Sequence, residues 1–303
     1  MDIETKKKYR AWAADPASFS TSKVCALRHN FHEHPLMRLS ALAELAQVLY
    51  KTQKCRFLKP GATQASEFVH ESQSHDGRDI EEVFRRIEEP GSWIALYDVE
   101  THPPYAGFLR EVIESVRALV DEEQPGLFDI KGFIFISAPP SVTPFHMDRE
   151  NNFWLQIAGR KTLNVWEPTD RVVVPAPVAE KFMVSGALHE VRLKDGFLDR
   201  GHRFDVGPGD GAYFPSLSPH MTRCEPGWTR PGEGVSISIG VVFYTDVTRK
   251  HSHVHAGNRL LRKLGLSPKW PGTSALDTLK AQLGNAFVLG RKIFKGQPRP
   301  AGF

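Results

Sequence analysis

Residues 130–248 form a succession of short runs rich in β-branched and aromatic residues, each bounded by Pro, Gly or Asp. Runs of this length and composition are typical of strands, and closely spaced strands of this kind form antiparallel sandwiches or barrels. The runs are GFIFISA, NFWLQI, KTLNVWEP, RVVVP, LHEVRL, FDV, GAYFP and GVSISIGVVFY. The sequence therefore predicts a β core in the middle of the chain.

Helical periodicity flanks this core on both sides. Before the core, apolar residues recur at a spacing of three and four, and Asp79 is placed to cap one helix. These N-terminal stripes are Leu39/Leu42/Ala46/Leu49, Ile80/Val83/Phe84/Ile87 and Tyr105/Phe108/Leu109/Val112/Ile113/Val116/Leu119. Helical texture returns after Thr248, with a stripe of Leu276, Leu279, Leu283, Phe287 and Gly290.

These patterns divide the chain into three regions. Residues 1–129 are a helical N-terminal region with a first barrel-flanking strand at 92–97, residues 130–248 are the β core, and residues 249–303 are a C-terminal helical region. The expected fold class is mainly β with α flanks. The long connection at 175–203 is a common place for a substrate-covering insert.

Charge and cysteine content exclude several classes of protein. With 39 Lys+Arg against 35 Asp+Glu the net charge is +4, which gives no reason to expect nucleic-acid or membrane binding. Three widely spaced cysteines indicate neither a disulfide framework nor a thiolate zinc site, so a reducing cytoplasm is the expected location. The charged first 15 residues and the lack of long apolar runs predict no signal peptide and no transmembrane helix.

One tripeptide, His146-Met147-Asp148, follows the strand-like segment GFIFISAPPSVTPF. A single His-x-Asp/Glu match is expected by chance in a chain with 13 His and 35 acidic residues, so its setting matters more than its presence. Residues i and i+2 of an extended segment point to the same side, and His146 and Asp148 would therefore converge on one point.

His220 is the candidate third ligand. It follows the β run of GDGAYFPSLSPH, far enough along the chain to return across a barrel. Two His and one carboxylate on one face of an octahedron leave three positions open, an arrangement used by non-haem Fe(II) oxygenases for a chelating cosubstrate and O₂.

The segments TPFHMDRENNFWLQIAGRKTLNVWEP, GDGAYFPSLSPH and GVSISIG resemble the JmjC and cupin-like Fe(II)/2-oxoglutarate oxygenases, nearest to the asparaginyl hydroxylase branch of the hypoxia response. The matching features are Thr143 before the first His, Asn152 after it, a Gln-Ile-x-Gly-x-Lys segment ending at Lys161, and Pro215 before the second His. The resemblance covers residues 130–245. It implies a double-stranded β-helix (jelly-roll, cupin-like) core.

The resemblance also implies an activity and its cofactors. The chain would be an Fe(II)- and 2-oxoglutarate-dependent oxygenase, using O₂ to hydroxylate a protein side chain or small molecule and releasing succinate and CO₂. A non-catalytic cupin-like metal-binding or regulatory module, and a metal-dependent isomerase on the same barrel, remain as alternatives because a fold does not determine function.

Residue by residue, the resemblance makes His146, Asp148 and His220 the catalytic iron ligands and Lys161 the partner of the distal 2-oxoglutarate carboxylate. A dicarboxylate in a narrow barrel requires a fixed positive charge, which a strand lysine supplies. Thr143 would add a hydroxyl donor. Arg230, ten residues after His220, is a rival carboxylate partner.

Other predicted contacts follow from strand alternation and from one departure. Asn152 is expected to contact the cosubstrate, and Asn151, Trp154 and Gln156 the substrate. Where the asparaginyl hydroxylase has an Asn late in the barrel, this chain has Gly240, so Ser236 or Ser238 would replace that contact. Either Trp93 or Tyr97 stands where relatives place an aromatic hydroxyl beside 2-oxoglutarate.

Three further features remain open. Two histidine clusters, His29/His32/His34 and His251/His253/His255, are either surface segments or second metal sites. The stripe at Leu276–Phe287 either packs on the chain's own core or supports a homodimer through the C-terminal helices, as in the relatives that the chain resembles.

Overall fold

The computed structural model of this chain describes residues 8–228, 234–296, 298 and 300–303. Its strands are β1 (Ala11–Ala13), β2 (Cys25–His29), β3 (Cys55–Leu58), β4 (His70–Glu71), β5 (Trp93–Leu96), β6 (Phe128–Ser137), β7 (Ser141–His146), β8 (Asn151–Ala158), β9 (Lys161–Val165), β10 (His202–Val206), β11 (Asp210–Phe214), β12 (His220–Cys224) and β13 (Ser236–Tyr244). Its α-helices are α1 (Leu39–Tyr50), α2 (Ile80–Arg85), α3 (Pro103–Asp121), α4 (Ala176–Ser185), α5 (Asp246–Lys263) and α6 (Asp277–Lys295).

The strands form two antiparallel sheets. The larger has the order β1-β2-β11-β8-β13-β6-β5-β3-β4, and the smaller has the order β10-β9-β12-β7. From β6 onward the chain passes back and forth between the sheets, with β6, β8, β11 and β13 in the larger and β7, β9, β10 and β12 in the smaller. The two sheets therefore enclose a space between their inner faces.

Strand alternation determines which side chains reach this space. On β6, Ile134 and Ile136 point outward into the main hydrophobic core, where α1 and α3 cover the larger sheet, while Phe133 and Phe135 point inward. On β8, Phe153 joins that outer core and Trp154 packs inward against Leu163 of the smaller sheet. The period of two in side-chain direction produces this division.

The N-terminal third contains more β structure than its helical periodicity predicts. The three predicted helices are present, the strand expected at 92–97 is β5, and four further strands (β1 to β4) also join the larger sheet. These four strands have two to five residues, which is too short for an alternating pattern to be distinguished in the sequence. The region is thus part of the same sheet as the core strands.

Two runs that read as strands are not strands in the structure. Residues of RVVVP form a turn and LHEVRL forms a loop. Val173, Val174 and Val191 are nevertheless buried together in one apolar cluster. Their β-branched side chains therefore serve packing, without forming a strand ladder.

The connection at 175–203 covers the outer face of the smaller sheet. Phe182 and Met183 of α4 lie in the same apolar cluster as Phe145 and Met147, the neighbours of His146 that point outward. The insert therefore lies on the outer side of the smaller sheet, away from the space between the two sheets. It does not cover that space, contrary to the expectation from the sequence.

The C-terminal helices pack closely on each other through glycine. A Cβ at Gly284 would lie 1.8 Å from the carbonyl oxygen of His253, and one at Gly257 would lie 2.2 Å from that of Lys280. The opposite face of α6 is solvent-exposed, and Leu279 is 63% exposed. The leucine stripe therefore does not pack on the β core. Within the described residues, no helix is long and apolar enough to span a bilayer.

Candidate metal centre

The structure brings His146, Asp148 and His220 together at one end of the smaller sheet. His146 ends β7 and His220 begins β12, and the two are directly paired across these antiparallel strands. The Asp148 carboxylate lies 3.6 Å from Nε2 of His220. One ligand atom from each of the three residues lies within 4.8 Å of the others, a separation compatible with a shared metal ion.

Backbone carbonyls orient both imidazole rings. Nδ1 of His146 lies 2.8 Å from the carbonyl oxygen of Pro144, and Nδ1 of His220 lies 3.2 Å from that of Ser218. Because a carbonyl oxygen only accepts, each Nδ1 carries the proton and donates it. Each Nε2 therefore keeps its lone pair, which is the arrangement found in metal-ligating histidines.

Burial keeps these imidazoles neutral. Desolvation lowers the pKa of His146 to about 4, with the neighbouring His220 adding to the effect, and desolvation also lowers the pKa of His220 to about 4. Burial raises the pKa of the Asp148 carboxyl. Neutral imidazoles are ready to bind a cation, and a bound cation would favour the ionised form of Asp148.

A cavity of about 180 Å³ opens beside these three residues, between the inner faces of the sheets. The predicted residues Thr143, Asn152, Trp154, Lys161 and Ser238 all line it. The remaining lining residues are Phe68, Tyr97, Phe133, Phe135, His146, Asp148, Glu150, His220 and Thr222.

Lys161 is a buried cation in this cavity. It is 2% exposed, and its Nζ lies 3.4 Å from the Ser238 hydroxyl. In the described part of the chain no carboxylate lies within ion-pair distance of it, and desolvation lowers its pKa to about 8. Thr143 lies nearby in the cavity wall and accepts a hydrogen bond of 3.2 Å from the Trp93 indole. A buried ammonium group without a counter-ion is suited to an anionic ligand.

Three of the predicted contact residues, Asn151, Gln156 and Ser236, do not line the cavity. The Asn151 side chain donates to Oε1 of Gln124 and accepts from the backbone N–H of Ser216. Gln156 donates to the Ala158 carbonyl oxygen at 2.6 Å and to the Ser236 hydroxyl at 2.9 Å. These groups hold loops and strand ends together. Arg230, the rival carboxylate partner, lies outside the described residues.

The space above Gly240 is occupied by Asn152. A Cβ at position 240 would lie 3.1 Å from Oδ1 and 3.2 Å from Nδ2 of Asn152. The Asn152 side chain on the neighbouring strand β8 thus lies where a side chain at position 240 would begin. Ser238 reaches the cavity, whereas Ser236 is engaged by Gln156.

Sequence reasoning missed several cavity residues. Phe68 comes from the segment before β4, and its ring centroid is 4.2 Å from that of His146. Nothing in the sequence around Phe68 indicates this contact. Glu150 and Thr222 carry a weak signal, because each lies two residues beyond a proposed ligand. Tyr97, left open beside Trp93, is the one of the pair that lines this cavity.

The two additional histidine clusters have structural contacts. Nε2 of His29 lies 3.1 Å from the carbonyl oxygen of Asp210, and Nδ1 of His34 accepts from the Leu36 N–H. His255 packs edge-on against Trp270 with centroids 4.5 Å apart. Within residues 8–228 and 234–296, neither cluster brings three ligand atoms close enough to share an ion, as the candidate metal ligands do.

A larger cleft of about 730 Å³ lies beside the start of β5 and β7, lined by residues that include Gln64, Arg78, Ser141 and Arg223. It is open to solvent and contains none of the three candidate ligands. Trp93 borders this cleft and separates it from the inner cavity through its bond to Thr143. The smaller inner cavity is therefore the one that contains the three candidate metal ligands and the buried lysine.

Comparison with known proteins gives structural neighbours only. No family model matches the chain, and no curated protein matches its sequence. Among solved structures, YcfD, a ribosomal oxygenase from Escherichia coli, aligns at 16% identity with a TM-score of 0.46, covering 96% of this chain and 68% of that chain. Its complex with cobalt and 2-oxoglutarate aligns at 17% identity with a TM-score of 0.48, covering 94% and 69%.

A third structure, the complex of YcfD with cobalt and succinic acid, aligns at 17% identity with a TM-score of 0.47, covering 94% of this chain and 69% of that chain. None of these three structures belongs to the asparaginyl hydroxylase branch, so the branch predicted from the sequence stays a prediction.

Proposed function

We infer that this chain is an Fe(II)- and 2-oxoglutarate-dependent oxygenase and, more specifically, a hydroxylase. The observation that carries the proposal is the joint placement of a His-Asp-His set and a buried, unpaired lysine in one cavity. Neither feature alone is specific to this chemistry. Together they provide a site for a divalent metal and a site for an anion that the metal can also bind.

The strand arrangement supports this proposal. The strand orders β11-β8-β13-β6 and β10-β9-β12-β7 support our proposal of a double-stranded β-helix, the jelly roll in which successive strands alternate between two facing sheets. The three candidate ligands lie at one end of this core. The helices and the additional strands cover its outer faces.

Each residue has a defined task in the proposed reaction. His146, Asp148 and His220 hold the metal through Nε2 and carboxylate oxygen, and the carbonyls of Pro144 and Ser218 maintain the ring orientation. When bound, Fe(II) with 2-oxoglutarate and O₂ supplies the oxidising chemistry that hydroxylates a C–H bond, with succinate and CO₂ as co-products.

The opposite end of the cavity binds the cosubstrate. The Lys161 ammonium group pairs with the distal carboxylate of 2-oxoglutarate, and the Thr143 hydroxyl donates to the same group. Phe135 and Trp154 line the walls and exclude water from the cavity. The substrate, a protein side chain or a small molecule, approaches from the side where Asp148 is 34% exposed.

The decisive experiment is crystallisation with Fe(II) and 2-oxoglutarate under anaerobic conditions. We expect electron density for a metal bound by His146, Asp148 and His220 and for a dicarboxylate that ends at Lys161. Release of succinate from 2-oxoglutarate in the presence of Fe(II) and O₂ provides the matching solution measurement. Density in which His220 turns away from the other two ligands would contradict the proposal.

A further inference from the structure

Residues 215–219 form the loop that leads into β12 and its first residue, His220. The backbone N–H of Leu217 donates to the carbonyl oxygen of Asp148 at 2.9 Å, which ties this loop to the segment that follows β7. The Ser218 carbonyl oxygen accepts from Nδ1 of His220 at 3.2 Å and orients that ring. One short loop therefore contacts two of the three candidate metal ligands.

Leu217 makes its bond to Asp148 from a backbone conformation that is unfavourable for leucine. Its φ is 68°, in the left-handed region that residues with a Cβ rarely adopt, and its side chain is buried in the cluster on the outer face of the smaller sheet. A residue in this conformation costs free energy and persists only where the surrounding contacts hold it. The loop therefore requires an anchor outside itself.

The side chain of Asn151, the first residue of β8, provides this anchor. Asn151 is 0% exposed, its Oδ1 accepts from the backbone N–H of Ser216 at 3.0 Å, and its Nδ2 donates to Oε1 of Gln124 at 2.9 Å. The residue does not line the inner cavity, although it follows Asp148 by only three positions. Its buried amide group therefore fixes the loop relative to β8 and is not available to a ligand.

Gln124 holds the Asn151 amide group in one orientation. Nε2 of Gln124 donates to the Thr21 carbonyl oxygen at 3.2 Å, and its Oε1 accepts from the Thr245 hydroxyl at 3.0 Å as well as from Asn151. Because a carbonyl oxygen only accepts, Oε1 of Gln124 must face Nδ2 of Asn151, and this leaves Oδ1 of Asn151 for the Ser216 N–H. The bonds therefore allow a single assignment of donors and acceptors.

We propose that Asn151 is a positioning residue of the metal centre, which holds loop 215–219 so that His220 and Asp148 are in place before a metal ion binds. The inference rests on the proposed function for the presence of that metal. It goes beyond the proposed function because Asn151 binds neither metal nor substrate and acts through the loop backbone. Loss of a group that orients a metal ligand lowers metal affinity by about 10- to 100-fold.

The test combines equilibrium binding of Co(II) with amide hydrogen exchange of the metal-free and Co(II)-saturated protein, without 2-oxoglutarate or turnover. Asn151→Leu retains the approximate shape of the side chain and removes both of its hydrogen bonds. We expect its Co(II) affinity to fall by about 10- to 100-fold. We also expect residues 215–219 of the metal-free variant to exchange faster than in the wild type, and Co(II) saturation to restore much of the protection.

Asn258→Leu is the matched control. Asn258 lies on α5, is also 0% exposed, and its Nδ2 donates to the backbone carbonyl of Lys269 at 3.0 Å. This variant should be destabilised by the loss of a buried hydrogen bond, but its Co(II) affinity and the exchange of residues 215–219 should match the wild type. Gln124→Leu serves as a second variant if Asn151→Leu does not fold. It removes the partner that orients the Asn151 amide group and should lower Co(II) affinity several-fold.

Three results would each overturn this proposal: wild-type Co(II) affinity in folded Asn151→Leu, or in Gln124→Leu if the first variant does not fold; equal losses of affinity in Asn151→Leu and Asn258→Leu; or a loss of affinity without faster exchange in residues 215–219. The wild-type protein distinguishes the two proposals. Its failure to bind Co(II) contradicts the proposed function, whereas hydrogen exchange of the metal-free variants still tests whether Asn151 holds the loop.

Discussion

His146 lies directly opposite His220 in the antiparallel pair of β7 and β12, with their ring centroids 4.1 Å apart. The register of this pair becomes irregular immediately after His220. The spacing of the two imidazoles is therefore a property of strand pairing, and a slip of one residue would turn one ring to the outer face. Asp148 joins them from the chain that leaves β7.

The first prediction concerns the metal. Asp148→Ala removes the only anionic ligand, so affinity for Co(II) or Fe(II) should fall by more than about 100-fold, since loss of a group that merely orients a ligand already costs about 10- to 100-fold. Equilibrium dialysis measures the change. His29→Ala and His251→Ala, from the two other histidine clusters, should retain the wild-type affinity, and a comparable loss in either would indicate a different metal site.

The second prediction concerns Lys161. Lys161→Ala removes a charge-assisted bond to a buried carboxylate, worth about 1.5 to 3 kcal/mol, so the KM for 2-oxoglutarate should rise roughly 10- to 150-fold. Metal binding should persist. Lys131→Ala, which removes a partly exposed lysine paired with Asp129, is the control. Arg230→Ala should have a much milder effect, and a reversal of the two would assign the cosubstrate to Arg230.

The third prediction is a pH dependence. Desolvation lowers the pKa of Lys161 to about 8 in the protein without ligand, so its positive charge is present below that pH and is lost as the pH rises through it. The affinity of the Ni(II)-loaded protein for 2-oxoglutarate should therefore decrease above about pH 8. In Lys161→Arg the charge persists, because guanidinium stays protonated. An identical decrease in that variant would rule out Lys161 as the titrating group.

The fourth prediction is the homodimer. Leu279 and Leu283 of α6 are 63% and 39% exposed, and Leu276, the N-cap residue of this helix, is 62% exposed. Light scattering at micromolar concentration should give a dimeric mass for the full chain. Leu279→Asp/Leu283→Asp should give a folded monomer. A monomeric mass for the full chain, unchanged on deletion of residues 273–303, would contradict the dimer.

The fifth prediction concerns the packing of the C-terminal helices. Gly284→Val places side-chain atoms against the carbonyl of His253, so the free energy of unfolding should decrease by about 1 to 3 kcal/mol. Gly290→Ala is the control, because the nearest atom to its Cβ is Phe294 Cδ2 at 4.0 Å. That variant should be neutral or slightly stabilised, since Ala favours the helix. Thermal unfolding compares the two, and equal changes would show that α5 and α6 do not pack this closely.

The convergence of His146 and Asp148 was readable because residues i and i+2 of an extended segment point to the same side. His220 was proposed because it follows a second β run, and Lys161 because of the resemblance to the oxygenase family. The α3 stripe was equally readable, and all its members from Tyr105 to Val116 are buried. Local periodicity therefore predicts the buried side chains of a segment wherever that segment has one buried face.

Other features depend on contacts between segments far apart in the chain. Phe68 reaches His146 across 78 positions, and the bond between Asn151 and Gln124 withdraws a predicted contact residue from the cavity. The insert at 175–203 lies on the outer face of the smaller sheet because its apolar residues pack in one cluster with Phe145 and Met147.

By itself the sequence determined the β core, its flanking helices and the residue types able to hold a metal and an anion. The tertiary structure determined which of those residues share a cavity, that Glu150 joins them without an ion-pair partner among the described residues, and that the leucines of α6 face solvent. The physical reason is the range of the interactions. Side-chain direction repeats along a single strand or helix, whereas the partner of each face is selected by packing between elements that the chain brings together only on folding.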